Sequence, residues 1–95
     1  MGGNPTMTNI YPRESVEFQP ILVTVDGTTV TANVETQITS VSGRPSSSAW
    51  IPAVTLDGQI GLMIEGLSVG TYEVWARVSD SPEIPVIDCG SFAVS

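Results

Sequence analysis

Apolar and polar positions alternate along much of this chain, most regularly from Leu67 to Val78. Tyr72, Val74, Ala76 and Val78 fall on one side of an extended segment, and Thr71, Glu73, Trp75, Arg77 and Ser79 on the other. A period of two, launched from Gly70, is what a strand with one buried face requires. Two Asp-Gly pairs, Asp26-Gly27 and Asp57-Gly58, stand between β-rich runs. Each predicts a two-residue type I′ hairpin, because both turn positions need positive φ. Pairing Val25 with Thr28 across the first turn sets Ile21, Val23, Val25, Val30, Ala32, Val34 and Ile38 on one face. The other face then carries Thr29, Thr31, Asn33, Glu35, Gln37 and Thr39. A slip of one residue would invert the whole set, so the register is firmly specified. Beyond the second turn, Ile60, Leu62 and Ile64 share a face.

The interruptions carry information too. Val16 and Phe18 open the first strand, and Pro20, which lacks a backbone donor, marks an edge or bend where the inward face switches to Ile21. Trp50 and Ile51 start a strand that Pro52 interrupts and that continues from Val54 to Leu56; Trp50 is expected as the inter-sheet core tryptophan. From Val86 to Val94 the apolar positions change parity around Gly90, which predicts a bulge. Residues 42–48 read as a polar loop and residues 79–85 as a turn with two prolines. No window repeats apolar residues at helical spacing for three turns. The expected fold is therefore all-β, a single sandwich of about six or seven strands, with no internal repeat and no linker. Gly2, Gly3, Pro5 and Pro12 punctuate residues 1–12, which read as an N-terminal arm ahead of a sandwich spanning 13–95. Met7, Ile10 and Tyr11 are the anchors of that arm, which is either frayed or laid on a neighbouring subunit.

Composition narrows the function. A chain of 95 residues makes one domain, and 41% apolar residues suffice for a packed interior. Ten acids against Arg13, Arg44 and Arg77, with no lysine or histidine, give a net charge of −7. Such a surface repels nucleic-acid phosphates and anionic membranes, and its acidity reads either as solubility or as attraction to a basic partner surface. No apolar run approaches the roughly 20 residues of a membrane helix. The first residues lack the basic region and apolar core of a secretory signal, and a lone cysteine, Cys89, precludes an internal disulfide. Both features point to folding in a reducing cytoplasm.

Little chemistry is available. Without histidine, Ser-His-Asp and Cys-His catalysis are excluded, and one cysteine cannot build a zinc site. No glycine-rich loop precedes a helix, so a phosphate cradle is not expected. Most acids fall on outward faces or turn tips. The reading is of a protein that is not an enzyme and uses no cofactor or metal. Asp80, Glu83 and Asp88 flank a turn but match no calcium loop, and read as a solvated acidic turn. Cys89, between Ile87 and Phe92, reads as a core or semi-core thiol. Trp75 shares the outward face with Glu73 and Arg77. It is either packed beneath a loop or second sheet, or exposed beside Arg77 as an interface hot spot.

The corner from Leu67 to Tyr72 and the strand after it resemble those of immunoglobulin-like and fibronectin-type domains, in which a tyrosine hydroxyl ties the corner to nearby backbone. The run Tyr72-x-Val-Trp-Ala-Arg-Val78, then Asp80-Ser-Pro-Glu83-x-Pro85, then a final strand with Gly90, resembles the C-terminal part of small immunoglobulin-like virion structural proteins of tailed bacteriophages. The resemblance lies mainly in residues 67–94. It implies an immunoglobulin-like or fibronectin-type sandwich with a non-enzymatic structural role, made in the host bacterial cytoplasm and carried in the virion. Decoration of the capsid is the first expectation, with a head–tail connector or tail position next. The partners implied are phage capsid or connector proteins, contacted by many symmetric copies so that modest interfaces gain strength by repetition. The family pattern brings no catalytic residues, and it does not assign contacts. Met7, Ile10, Tyr11, Trp75 and Arg77 are interface candidates on the residues' own chemistry. The alternative from another class is a carbohydrate-binding or adhesion module that stacks Trp75 or Trp50 on sugar rings.

Overall fold

A computed structural model describes residues 9–79 and 84–95, and those residues form ten strands and no helix. In chain order they are β1 (Asn9–Tyr11), β2 (Glu17–Pro20), β3 (Thr24–Val25), β4 (Thr28–Thr29), β5 (Val34–Ser40), β6 (Ile51–Pro52), β7 (Val54–Leu56), β8 (Gln59–Ile64), β9 (Gly70–Val78) and β10 (Val86–Val94). A five-stranded sheet has the order β1-β10-β9-β5-β6, a three-stranded sheet the order β2-β8-β7, and β3 and β4 pair as a separate hairpin. The count exceeds the expected six or seven because Pro20, Pro52 and a turn at Asn33 each divide a longer run, and because Asn9–Tyr11 add a strand. Pro52 ends β6, and the chain changes sheets at Ala53, whose amide bonds the Val34 carbonyl before β7 pairs with β8. Pro20 likewise ends β2 before β3 begins.

Both Asp-Gly turns form as the pattern requires. Asp26 and Gly27 have φ of 51° and 79°, Asp57 and Gly58 of 51° and 78°, and the closing pairs are Val25 with Thr28 and Leu56 with Gln59. The first hairpin ends sooner than the alternation implies. Its last bond runs from the Val30 amide to the Val23 carbonyl, Ala32 is exposed, and Asn33 turns the chain at φ 59° so that β5 joins the large sheet. The bulge in β10 also forms. Asp88 opposes Trp75 and Ser91 opposes Glu73, leaving Cys89 and Gly90 opposite one residue, with Gly90 at φ 110°. The extra residue moves the inward parity from Ile87 to Phe92 and Val94, as a bulge must.

The core lies between the two larger sheets in two adjoining clusters. One joins Val34, Ala76 and Val78 of the large sheet to Ile60 of the small sheet and to Val23. The other joins Val74, Phe92 and Val94 to Leu62 and Ile64. The Phe92 ring stacks on Tyr72 at 5.5 Å, and the Tyr72 hydroxyl donates to the Ser68 carbonyl at 2.7 Å, tying the β8–β9 corner to the start of β9.

Three expectations need correction. The end of the expected arm is part of the fold: β1 runs parallel to β10 of its own chain, from Asn9 opposite Phe92 to Tyr11 opposite Val94. The Ser95 amide bonds the Tyr11 carbonyl, and the Arg13 amide bonds the Ser95 carbonyl. Val16 and Phe18 face out rather than in, because β2 pairs Glu17 with Ile64 and Gln19 with Leu62, and opposed residues share a face. Trp50 is not a core residue; it lies half-buried outside both clusters, over Arg77.

Gly61 permits the close approach of β2 to β8. A Cβ there would collide with the Gln19 carbonyl and stand 2.8 Å from Cζ of Phe18. Gly61→Ala is therefore expected to cost about 2 kcal/mol through forced backbone displacement, read as a lower urea midpoint. At the centre of β5, Thr36 is fully buried opposite Ala76, and among the described residues its hydroxyl has no hydrogen-bond partner. Thr36→Val should raise stability by about 1 kcal/mol, since it removes an unpaired polar group at nearly constant shape; an unchanged or lowered midpoint would contradict this.

Candidate functional site

The outward face of β5 and β9 gathers the most distinctive polar chemistry. Register places Glu35 opposite Arg77, Gln37 opposite Trp75 and Thr39 opposite Glu73. On this face a solvated surface is the default, yet Gln37 and Trp75 are both buried, Trp75 to 7% exposure. The cover is the connection between β5 and β6, residues 41–50. Its Ser46 amide donates to the Gln37 side-chain oxygen at 2.8 Å, and the Gln37 side-chain nitrogen donates to the Ser46 carbonyl at 3.1 Å. The glutamine amide thus plays the part of a peptide unit in a strand ladder. The Ser42 amide donates to Glu73 at 3.1 Å, and the Arg44 guanidinium lies 5.1 Å over the Trp75 ring.

Trp75 donates its indole N–H to the Thr39 hydroxyl at 2.9 Å, so its polar atom is satisfied inside this cover. Arg77 donates through Nε and Nη2 to one oxygen of Glu35, at 3.0 and 2.7 Å, and its guanidinium lies 4.8 Å from the Trp50 ring centre. Two arginine–tryptophan contacts therefore stand side by side. Each is worth about 0.5–1 kcal/mol where water has access. They hold the loop down and leave neither ring as an open platform. Trp75 corresponds to the packed-under-a-loop expectation, not to an exposed hot spot.

The other candidates are dispersed. Ile10 is 68% exposed at the outer strand of the large sheet. Tyr11 packs its ring 6.0 Å from Phe92 and donates its hydroxyl to the Gln19 side-chain oxygen at 2.6 Å, which also accepts from Asn9. Burial, ahead of the nearby negative charge of Glu17, holds the Tyr11 hydroxyl above its ordinary pKa of 10. Met7, Asp80 and Glu83 lie outside the described residues. The structure does not bring Trp75 and Arg77 together with Ile10 and Tyr11: β10 separates β1 from β9.

An open groove of about 620 Å³ is lined by Leu22, Val41, Glu73, Asp88 and the bulge residues Cys89, Gly90 and Ser91. Asp88 accepts from the Gly90 amide at 2.9 Å, so its carboxylate stabilises the bulge. Cys89 has its pKa pushed up to about 11, first by burial and then by the charge of Asp88. The thiol stays protonated at neutral pH and is a poor nucleophile. Among the described residues no three His, Cys, Asp or Glu side chains gather into a cation site.

Sequence reasoning missed the outward face of the small sheet. Phe18 opposes Met63, Pro20 and Val54 both oppose Gly61, and Leu56 opposes Gln59, so these side chains share the face away from the core. Val54, Leu56 and Met63 are exposed there, and Val16, just ahead of β2, is exposed as well. The signal present in the sequence is Gly61, a glycine inside a strand pattern, which marks close approach of another backbone.

No protein-family model, curated protein or solved structure matches this chain.

Because the folded thiol is raised from 9 to about 11, folding favours neutral Cys89. That contribution is fully present below pH 9 and is lost as pH rises toward 11. Urea midpoints should therefore fall over this range with a component that Cys89→Ala removes. At pH 8 the native thiol should react with a disulfide reagent roughly tenfold more slowly than the unfolded chain, its smaller thiolate fraction being partly offset by the greater nucleophilicity of a more basic thiolate.

Proposed function

We propose that the chain is a non-enzymatic structural module of a tailed-phage particle, an immunoglobulin-like sandwich that docks on other virion proteins, with the capsid surface as its first site. The fold part of this reading is supported by the tyrosine tie to Ser68, by the first strand running parallel to the last, and by the sheet orders β1-β10-β9-β5-β6 and β2-β8-β7. The virion part rests on the resemblance over residues 67–94. The observation that carries a docking role is the apolar outward face of the small sheet, where Phe18, Met63, Val54 and Leu56 lie beside one another away from the core. Exposed contiguous apolar faces on small domains mark contact surfaces. A head–tail connector or tail position would use the same face, at lower copy number. The carbohydrate-binding alternative has no specific support, since Trp75 is buried and Trp50 is stacked on Arg77.

Quantitative mass spectrometry of purified particles, reporting copies of this chain per major capsid subunit, tests the reading. A stoichiometry comparable with the capsid subunit is expected for decoration. A ratio lower by roughly a hundredfold, as symmetric rings of few copies give, would move the chain to the connector or tail. Absence from particles would overturn the virion role.

A further inference from the structure

Strand β2 is inside out. Its core-side positions hold Glu17 and Gln19, while Phe18 and the neighbouring Val16 face away from the core. Burial of apolar area is the main favourable term in folding, so a free strand with this sequence would slip by one residue to bury Phe18. Two devices hold it in place. Gln19 accepts the Asn9 and Tyr11 side chains at the sheet edge, and the Gln19 carbonyl occupies the space above Gly61. The Phe18 ring then lies close over Gly61, with Met63 on the same face and Val54 and Leu56 across β8.

Charge decides what this face accepts. No Lys or Arg occurs from residue 14 to 43 or from 45 to 76, so β2, β7, β8 and their turns carry no cation. The acids bordering the face are Glu65, just past β8, and Asp57 in the turn at its other end, both exposed. A second copy laid face to face would oppose acid to acid on chains that each carry a net charge of −7. Bilayers with anionic lipids and nucleic acids are repelled by the same charge.

Resting on the docking role proposed above, we propose that the outward face of the β2-β8-β7 sheet is the docking surface, and that its occupant is a different protein whose surface has an apolar centre rimmed by Arg or Lys. From strand rise and spacing, the face measures about 20 Å by 10 Å, on the order of 200 Å². Standard interfaces bury about 800 Å² per partner. One copy therefore binds weakly, and an array of partner sites supplies the remaining strength.

Two measurements on the full-length chain separate this surface from the virion role. In the first, ¹⁵N-labelled protein is titrated with a synthetic amphipathic peptide of Leu and Arg. Amide shifts confined to residues 16–20 and 54–65 are expected, with affinity falling as salt rises and lost about tenfold or more in Met63→Glu and Leu56→Glu. Both substituted side chains are exposed, so circular dichroism should match the parent. Shifts centred elsewhere, no binding, or a self-associated parent in sedimentation would overturn the proposal. In the second, phage particles deleted for this chain are mixed with the parent or with Met63→Glu and sedimented. Parent bound and variant free supports both readings. Equal binding of parent and variant overturns the surface and leaves the virion role standing. Failure of the parent to bind particles overturns the virion role, while the peptide titration decides the surface.

Discussion

Strand β9 is hydrogen-bonded along its length on both sides, to β10 and to β5, and the alternation of its side chains decides what each side of the large sheet becomes. Val74, Ala76 and Val78 point inward and contribute to both core clusters. Glu73, Trp75 and Arg77 point outward and hold the 41–50 loop, through a bond to Ser42, a stack beneath Arg44 and a stack against Trp50. A one-residue shift of β9 would place Arg77 and Glu73 in the core without the partners that a buried charge requires. The core and the loop therefore share one register. The Tyr72–Ser68 bond, where the chain enters β9 from the corner, helps to set it.

What could be read from the sequence was local. Asp-Gly turns, the parity change at Gly90 and the tyrosine corner each depend on a few adjacent residues, and each is present. What could not be read depends on contacts distant along the chain. Alternation shows that Val16 and Phe18 share a face, but not which face meets the core. That choice is made by Gln19 with Asn9 and Tyr11, and by the backbone of β2 against Gly61. Parity placed Trp75 outward, while its cover comes from a loop about 30 positions earlier, where polar Ser and Gly residues give no sign of packing. β1 is three residues long, too short for a period of two to announce itself.

The two outer faces of the molecule are unlike. The large sheet closes its own with a loop pinned by amide, carboxylate and arginine contacts, while the small sheet leaves apolar side chains uncovered. The crossing from β6 to β7 joins the sheets on one side, and Gln19 links β1 to β2 on the other. A chain seated by its small sheet would present the arginine–tryptophan loop outward.

The positions of the tryptophans have a spectroscopic consequence. Both indoles lie outside the packed clusters, Trp75 beneath the 41–50 segment and Trp50 against Arg77. Their emission therefore reports on the 41–50 strap and the sheet face beneath it, whereas the state of the interior is carried by backbone ellipticity and by the stacked Tyr72 and Phe92. Denaturation followed by fluorescence and by far-ultraviolet dichroism monitors two different parts of one small domain. Coincidence of the two curves means that the strap and the interior melt as one cooperative unit; separation means that the strap lifts first.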